Sequence, residues 1–177
     1  MRLAWTKTEG RGDLDPLLYD VARDLQAHGL RLAGVVQVNV ERPGSERCDM
    51  DAIVLPNGPT FRISQSLGAA SRGCRLDPRG LEAAVGTTMA RLEDGADLLI
   101  VNKFGKQEAL GRGFRPAIAA ALERGTDVLV GVNSLNLGAL RAFSDGVGTA
   151  LPPDRDVLVA WARPDRSDDA SGSQGAG

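Results

Sequence analysis

The chain has 177 residues, 42% apolar and 25% charged, with a formal net charge of −2, values that predict one soluble globular domain around one core. No apolar run approaches the roughly 20 residues of a spanning helix, and Met1-Arg2-Leu3 leads into a strand pattern rather than a signal-peptide apolar region, so a membrane protein is excluded and a cytoplasmic one expected. A pI near 5.5 gives no general attraction for nucleic acid, and Cys48 and Cys74, 26 residues apart, match no short zinc spacing and are expected as reduced thiols.

Arg2 to Thr6 reads as a first strand, and the polar turn Lys7 to Asp13 separates it from a helix capped by Asp15, opened by Pro16 and closed by Gly29. Leu14, Leu17, Leu18, Val21 and Leu25 recur on one face of that helix. His28 beside Gly29 suits the negative end of the helix dipole and is read as a terminal residue, not a catalyst. Leu32 to Val40 is the second strand, placed parallel to the first by the handedness of strand–helix–strand units. Glu41 to Asp51, with Pro43-Gly44 and Cys48, reads as a loop. Ala52 to Leu55 and Phe61 to Ser64 form a hairpin about Asn57-Gly58.

Gln65 to Asp77 is a second polar, glycine-containing loop with Arg72 and Arg75. Asp77 caps and Pro78 opens the next helix, whose stripe is Leu81, Ala84, Val85, Thr88, Met89 and Leu92. Leu98 to Val101 is a continuous apolar run bounded by Asp97 and Asn102, the pattern of a parallel strand buried on both faces. A helix over Pro116 to Arg124, a strand over Asp127 to Val132, a short helix begun by Ser134 or Asn136 and a last strand over Val157 to Trp161 complete the pattern. This alternation predicts a three-layer α/β/α sandwich with a mostly parallel sheet and a small edge hairpin. It forms one α/β domain over residues 1–162, followed by a disordered tail over 163–177 that lacks large apolar side chains.

The chemistry concentrates after the central strand. Between Asn102 and Arg115 stand Lys103, Lys106, Arg112 and Arg115 against Glu108, four cations and one carboxylate for a net charge of +3. Gly105, Gly111 and Gly113 interrupt the same stretch. A cationic loop at the carboxyl end of a strand in an open sheet is where such folds take anions. The lysines supply compact charge and the arginines a bidentate fork. Asn102, Ser64 and Gln65 are expected to hydrogen-bond the anion, and Glu108 to orient a lysine or arginine. The third helix, beginning within 112–118, is expected to add its N-terminal dipole. Hydrolysis of a nucleotide requires a Gly-rich loop ending in Gly-Lys-Ser or Gly-Lys-Thr, and Lys7 to Asp13 lacks that order.

Val35-Val36-Gln37, Cys48, Ile63-Ser64-Gln65 with Leu67-Gly68, and Cys74-Arg75-Leu76-Asp77 occur in the same order as in a known group of proteins. So does Val101-Asn102-Lys103-Phe104-Gly105-Lys106-Gln107-Glu108-Ala109 with Gly111-Arg112-Gly113. Over residues 2 to 162 the chain resembles that uncharacterised bacterial domain family, which is P-loop-ATPase-like and linked to molybdenum or nitrogenase gene clusters. It is more distantly similar to the thermophilic-type nucleoside triphosphatases, in which the central strand ends in Asp-Glu. Asn102 and Lys103 stand in place of that pair, while Gly105 and Glu108 match.

The resemblance implies a degenerate P-loop-like domain that binds molybdate or tungstate as a small oxyanion. Two alternatives stay open. One is a nucleoside triphosphatase with ATP and magnesium, using Glu108 or Asp13. The other is a module that docks on a molybdenum-handling or nitrogenase-related protein or on a transporter, and a homo-oligomer sharing one site is a further expectation.

Overall fold

The computed structural model describes residues 1–10, 12–41, 48–65 and 75–163. The strands are β1 (Leu3–Thr6), β2 (Leu32–Glu41), β3 (Cys48–Val54), β4 (Thr60–Arg62), β5 (Ser64–Gln65), β6 (Arg75–Leu76), β7 (Leu98–Phe104), β8 (Asp127–Val132) and β9 (Thr149–Leu151). The helices are α1 (Leu14–Ala27), α2 (Pro78–Glu93), α3 (Lys106–Ala109), α4 (Arg115–Glu123), α5 (Leu137–Phe143) and α6 (Arg155–Ala162). Seven strands form one sheet in the order β4-β3-β2-β7-β8-β1-β9, and β5 and β6 form a separate pair. From β2 to β9 every neighbouring pair is parallel, while β2-β3 and β3-β4 are antiparallel. The fold is therefore α/β with a mostly parallel sheet and an antiparallel edge. The carboxyl ends of β1, β2, β7 and β8 lie along one side.

Two cores explain the layers. Leu14, Leu18, Val21 and Leu25 of α1 pack with Leu158 of α6 on one face of the sheet, against Ala4, Leu32, Val36, Leu98, Ile100 and Leu129. On the other face Leu81 and Val85 of α2, Ala117 and Ile118 of α4 and Leu140 of α5 meet Ala33, Val35, Val101, Val128 and Val130. Neighbouring residues of β2 and β7 thus serve opposite cores, which is why the central strands read as unbroken apolar runs.

The structure departs from the sequence reading in several places: β7 runs on to Phe104, so Asn102 and Lys103 lie in the strand, and the expected loop from Gln65 to Asp77 contributes to the β5–β6 pair. Val157 to Trp161 is helical, not a strand: the Asp154 carboxylate accepts from the Val157 N–H at 3.0 Å and starts α6 after Pro152-Pro153. The edge position belongs to β9. Cys48 lies in β3, half-buried and paired with Glu41, so β2 and β3 are longer than the patterns indicated. Asp15 does not cap α1; Asp13 occupies the N-cap position, and Asp15 is buried in the first turn. The four-residue α3 was not foreseen. The Asn57-Gly58 hairpin, the Asp77 cap and the terminal place of His28 agree with expectation. Cys74, Arg72 and the tail from residue 164 lie outside the described residues.

Candidate functional site

The loop from Gly105 to Phe114 is organised by a buried carboxylate. Glu108, 4% exposed, accepts from the Gly105 N–H at 2.9 Å and from the Phe114 N–H at 3.0 Å. Its partners are backbone donors rather than the lysine or arginine expected. This closes the loop over α3 and satisfies the N-cap of α4, so Glu108, not a ligand, uses that end of the helix dipole. Gly113 is required here. Its φ is +59°, and a Cβ would fall 2.1 Å from Glu108 Oε1.

Lys103 and Lys106 are exposed, and neither has an acidic partner among the described residues. Together with Asn102, Gly105, Gln107 and Glu108 they line a cavity of about 220 Å³, which extends beneath them to Gln37, Val35, Ala52, Ile63, Leu76, Leu81 and Phe114. Half of the expected constellation is thus brought together and half is not. The Arg115 guanidinium lies 4.7 Å over the Phe143 ring, and Arg112 is exposed, its backbone N–H bonded to Gln107 O at 2.9 Å. Neither arginine lines the cavity. Ser64 Oγ accepts from the Met50 N–H at 3.0 Å, and Gln65 Nε2 donates to Leu76 O at 3.1 Å, so both tie β5 to its neighbours.

Asn102 is also committed to the protein. Its Oδ1 accepts from the Gln37 N–H at 3.0 Å and its Nδ2 donates to Asp15 Oδ1 at 2.8 Å. The other Asp15 oxygen accepts from Asn39 Nδ2 at 2.8 Å and Gln37 Nε2 at 3.3 Å. A buried carboxylate is tolerable here because three amides and the N-terminal turn of α1 surround it. This network was missed from the sequence. Asp15 and Asn102 are 87 residues apart, and only the fold brings them together.

In a phosphate loop the helix after the first strand carries a Lys for the phosphates and a Ser or Thr that holds magnesium jointly with a carboxylate on a nearby strand. Here the same turn carries Asp13 and Asp15, and the strand position carries Asn102. Lys7 donates to Ser134 Oγ at 3.2 Å and pairs with Glu9 at 2.9 Å. By its hydrogen bond to Glu9 first and by its charge second, Lys7 holds the Glu9 carboxylate below its ordinary pKa. The donor set among the described residues does not fit a magnesium nucleotide in the phosphate-loop manner. Among the described residues no three His, Cys, Asp or Glu side chains gather as a metal site, and no helix is long and apolar enough to cross a membrane.

Comparison with solved structures agrees with this architecture. A human cancer-related nucleoside triphosphatase superposes with a TM-score of 0.61 at 17% identity, over 89% of this chain and 94% of its own. THEP1 from the hyperthermophile Aquifex aeolicus gives 0.63 at 16% identity, over 90% and 95%. At such identities the likeness establishes the fold. A closer relative in sequence is the molybdenum import ATP-binding protein ModC 2 of Bradyrhizobium diazoefficiens, 40% identical over 151 residues. That match takes in 85% of this chain but 17% of the relative, so the chain spans about a sixth of that protein's length. A family model matches residues 3–161, and the chain belongs to that family, described as Protein of unknown function (DUF2478).

Proposed function

We propose that this domain is a non-hydrolysing anion-binding module of molybdenum handling, built on the sheet of a nucleoside triphosphatase. The observation that carries the reading is a transfer of charge. Lys103 and Lys106 stand exposed and unpaired, among the described residues, at the mouth of a cavity at the end of β7, in a stretch of net charge +3, whereas residues 7–15 carry Lys7 and Arg11 against Glu9, Asp13 and the buried Asp15, a net −1. The direct Asp15–Asn102 hydrogen bond ties the first turn of α1 to β7, and that turn carries carboxylates in place of the Lys and Ser or Thr of a phosphate loop. The anion therefore belongs at Lys103 and Lys106. Molybdate and tungstate are the anions of choice because the relative's name places it in molybdenum import. A molybdenum-handling protein, or the remainder of a longer chain like that relative, is the partner in this reading.

Thermal unfolding with molybdate, tungstate, sulfate, phosphate and ATP, each with and without magnesium, tests it. An anion at about a hundred times its Kd stabilises the native state by roughly 2.7 kcal/mol, about 5 to 10 °C at this chain length. A shift of that size with molybdate or tungstate supports the reading. A shift only with ATP and magnesium, accompanied by phosphate release, overturns it in favour of a nucleoside triphosphatase.

A further inference from the structure

The cavity beneath Lys103 and Lys106 is poorly suited to a bare tetrahedral anion filling it. Val35, Ala52, Ile63, Leu81 and Phe114 in its wall are each no more than 7% exposed and have no side-chain donor. An anion surrenders its water only to groups that replace those hydrogen bonds. Cationic and amide groups occur at the carboxyl edge of the sheet, where Lys103 precedes the last residue of β7 and Lys106 and Gln107 begin α3. The volume of about 220 Å³ exceeds the roughly 150 Å³ of an apolar cavity that holds one benzene ring. The wall is drawn from the core between the sheet and α2, α4 and α5, on the face opposite α1. At its rim the cavity also meets Val36 of the α1-side core and Gln37 and Asn102, whose side-chain amides bond Asp15.

We propose that this cavity takes a small organic anion, with an apolar body of about one ring against Phe114, Ile63 and Leu81 and an oxyanion head at Lys103, Lys106 and Gln107. The inference rests on the anion-binding reading and deepens it: a bare molybdate or tungstate meets only the lysine pair at the mouth, and an anion that carries an apolar body fills the wall below as well. Apolar burial supplies affinity and the two ammonium groups supply orientation and selection of charge.

Calorimetric titration with phenyl phosphate, inorganic phosphate, tungstate and benzyl alcohol separates head from body. Phenyl phosphate is expected to bind roughly ten- to a hundredfold more tightly than phosphate, as burial of one ring allows, and benzyl alcohol to bind weakly. Ala52→Leu, which fills the wall, should bring the ratio of the two phosphate affinities to about one. Leu76→Phe, at a half-buried position of the wall, provides the same test should Ala52→Leu fail to fold. Lys106→Ala should weaken phenyl phosphate and phosphate alike. Phenyl phosphate binding no tighter than phosphate, with phosphate or tungstate still dependent on Lys106, overturns the organic-anion inference and leaves the anion-binding reading standing. Absence of binding by every anion overturns both.

Discussion

The segments after β1 and β7 leave the same edge of one sheet, yet residues 7–15 carry two cations against three carboxylates, a net −1, and residues 102–115 a net +3, and the two are held by different means. After β1, Lys7 is spent on Glu9, and the helix that follows presents Asp13 and Asp15. After β7, the one carboxylate, Glu108, is buried and spent on two backbone N–H groups, leaving Lys103 and Lys106 facing outward. Side chains at strand ends are free of the packing that holds the strands, so the charge along the rim can change while the strand order stays.

The sharpest way to break this contrast is to restore a carboxylate at the end of β7. In Asn102→Asp a second buried carboxylate faces Asp15 across the present 2.8 Å contact. At pH 7 we expect a loss of about 3 kcal/mol or more, measured by chemical denaturation. The engineered pair binds a proton more readily when folded than when unfolded. The stability lost at neutral pH should therefore return as pH falls toward about 5. Millimolar magnesium should raise the Tm of this variant more than that of the parent.

Gly113→Ala attacks the other loop. With φ at +59° and a Cβ landing 2.1 Å from Glu108 Oε1, it should cost about 2 to 4 kcal/mol by the same measurement. Glu108→Gln keeps the shape but turns one acceptor into a donor facing a backbone N–H, so about 1 to 2 kcal/mol is expected, together with weaker anion binding as the loop loosens. Lys103→Ala and Lys106→Ala should alter stability by less than about 0.5 kcal/mol, since both side chains are exposed, while each lowers anion affinity about tenfold.

Much of the fold was legible because period and punctuation agreed. Asp77-Pro78 marked α2, Asn57-Gly58 marked the hairpin, and the unbroken run Leu98 to Val101 marked a strand between two helical layers. The strand expected at Val157 to Trp161 failed because a short apolar run fits a strand or a helix equally by pattern. Pro152-Pro153-Asp154 was the signal that decided it. At the site, the cationic stretch and the nearness of Asn102, Lys103, Lys106 and Glu108 in the chain were visible as local composition. Their division of labour was not. Whether Glu108 meets a lysine or a backbone N–H depends on a loop closure made by Gly113, and whether Asn102 meets a ligand or Asp15 depends on a contact across 87 residues. The apolar cavity wall, drawn from β2, β3, α2 and the Phe114 turn, has no local mark in the sequence.

The central claim is that the anion site follows β7 and not β1. Calorimetric titration of tungstate into the wild-type domain and into the Lys103→Ala/Lys106→Ala variant tests it most directly. Saturable one-to-one binding, independent of magnesium and lost in the double variant with Tm unchanged, is the predicted result. Equal binding in both proteins, or binding abolished instead by Asp13→Ala, would contradict it.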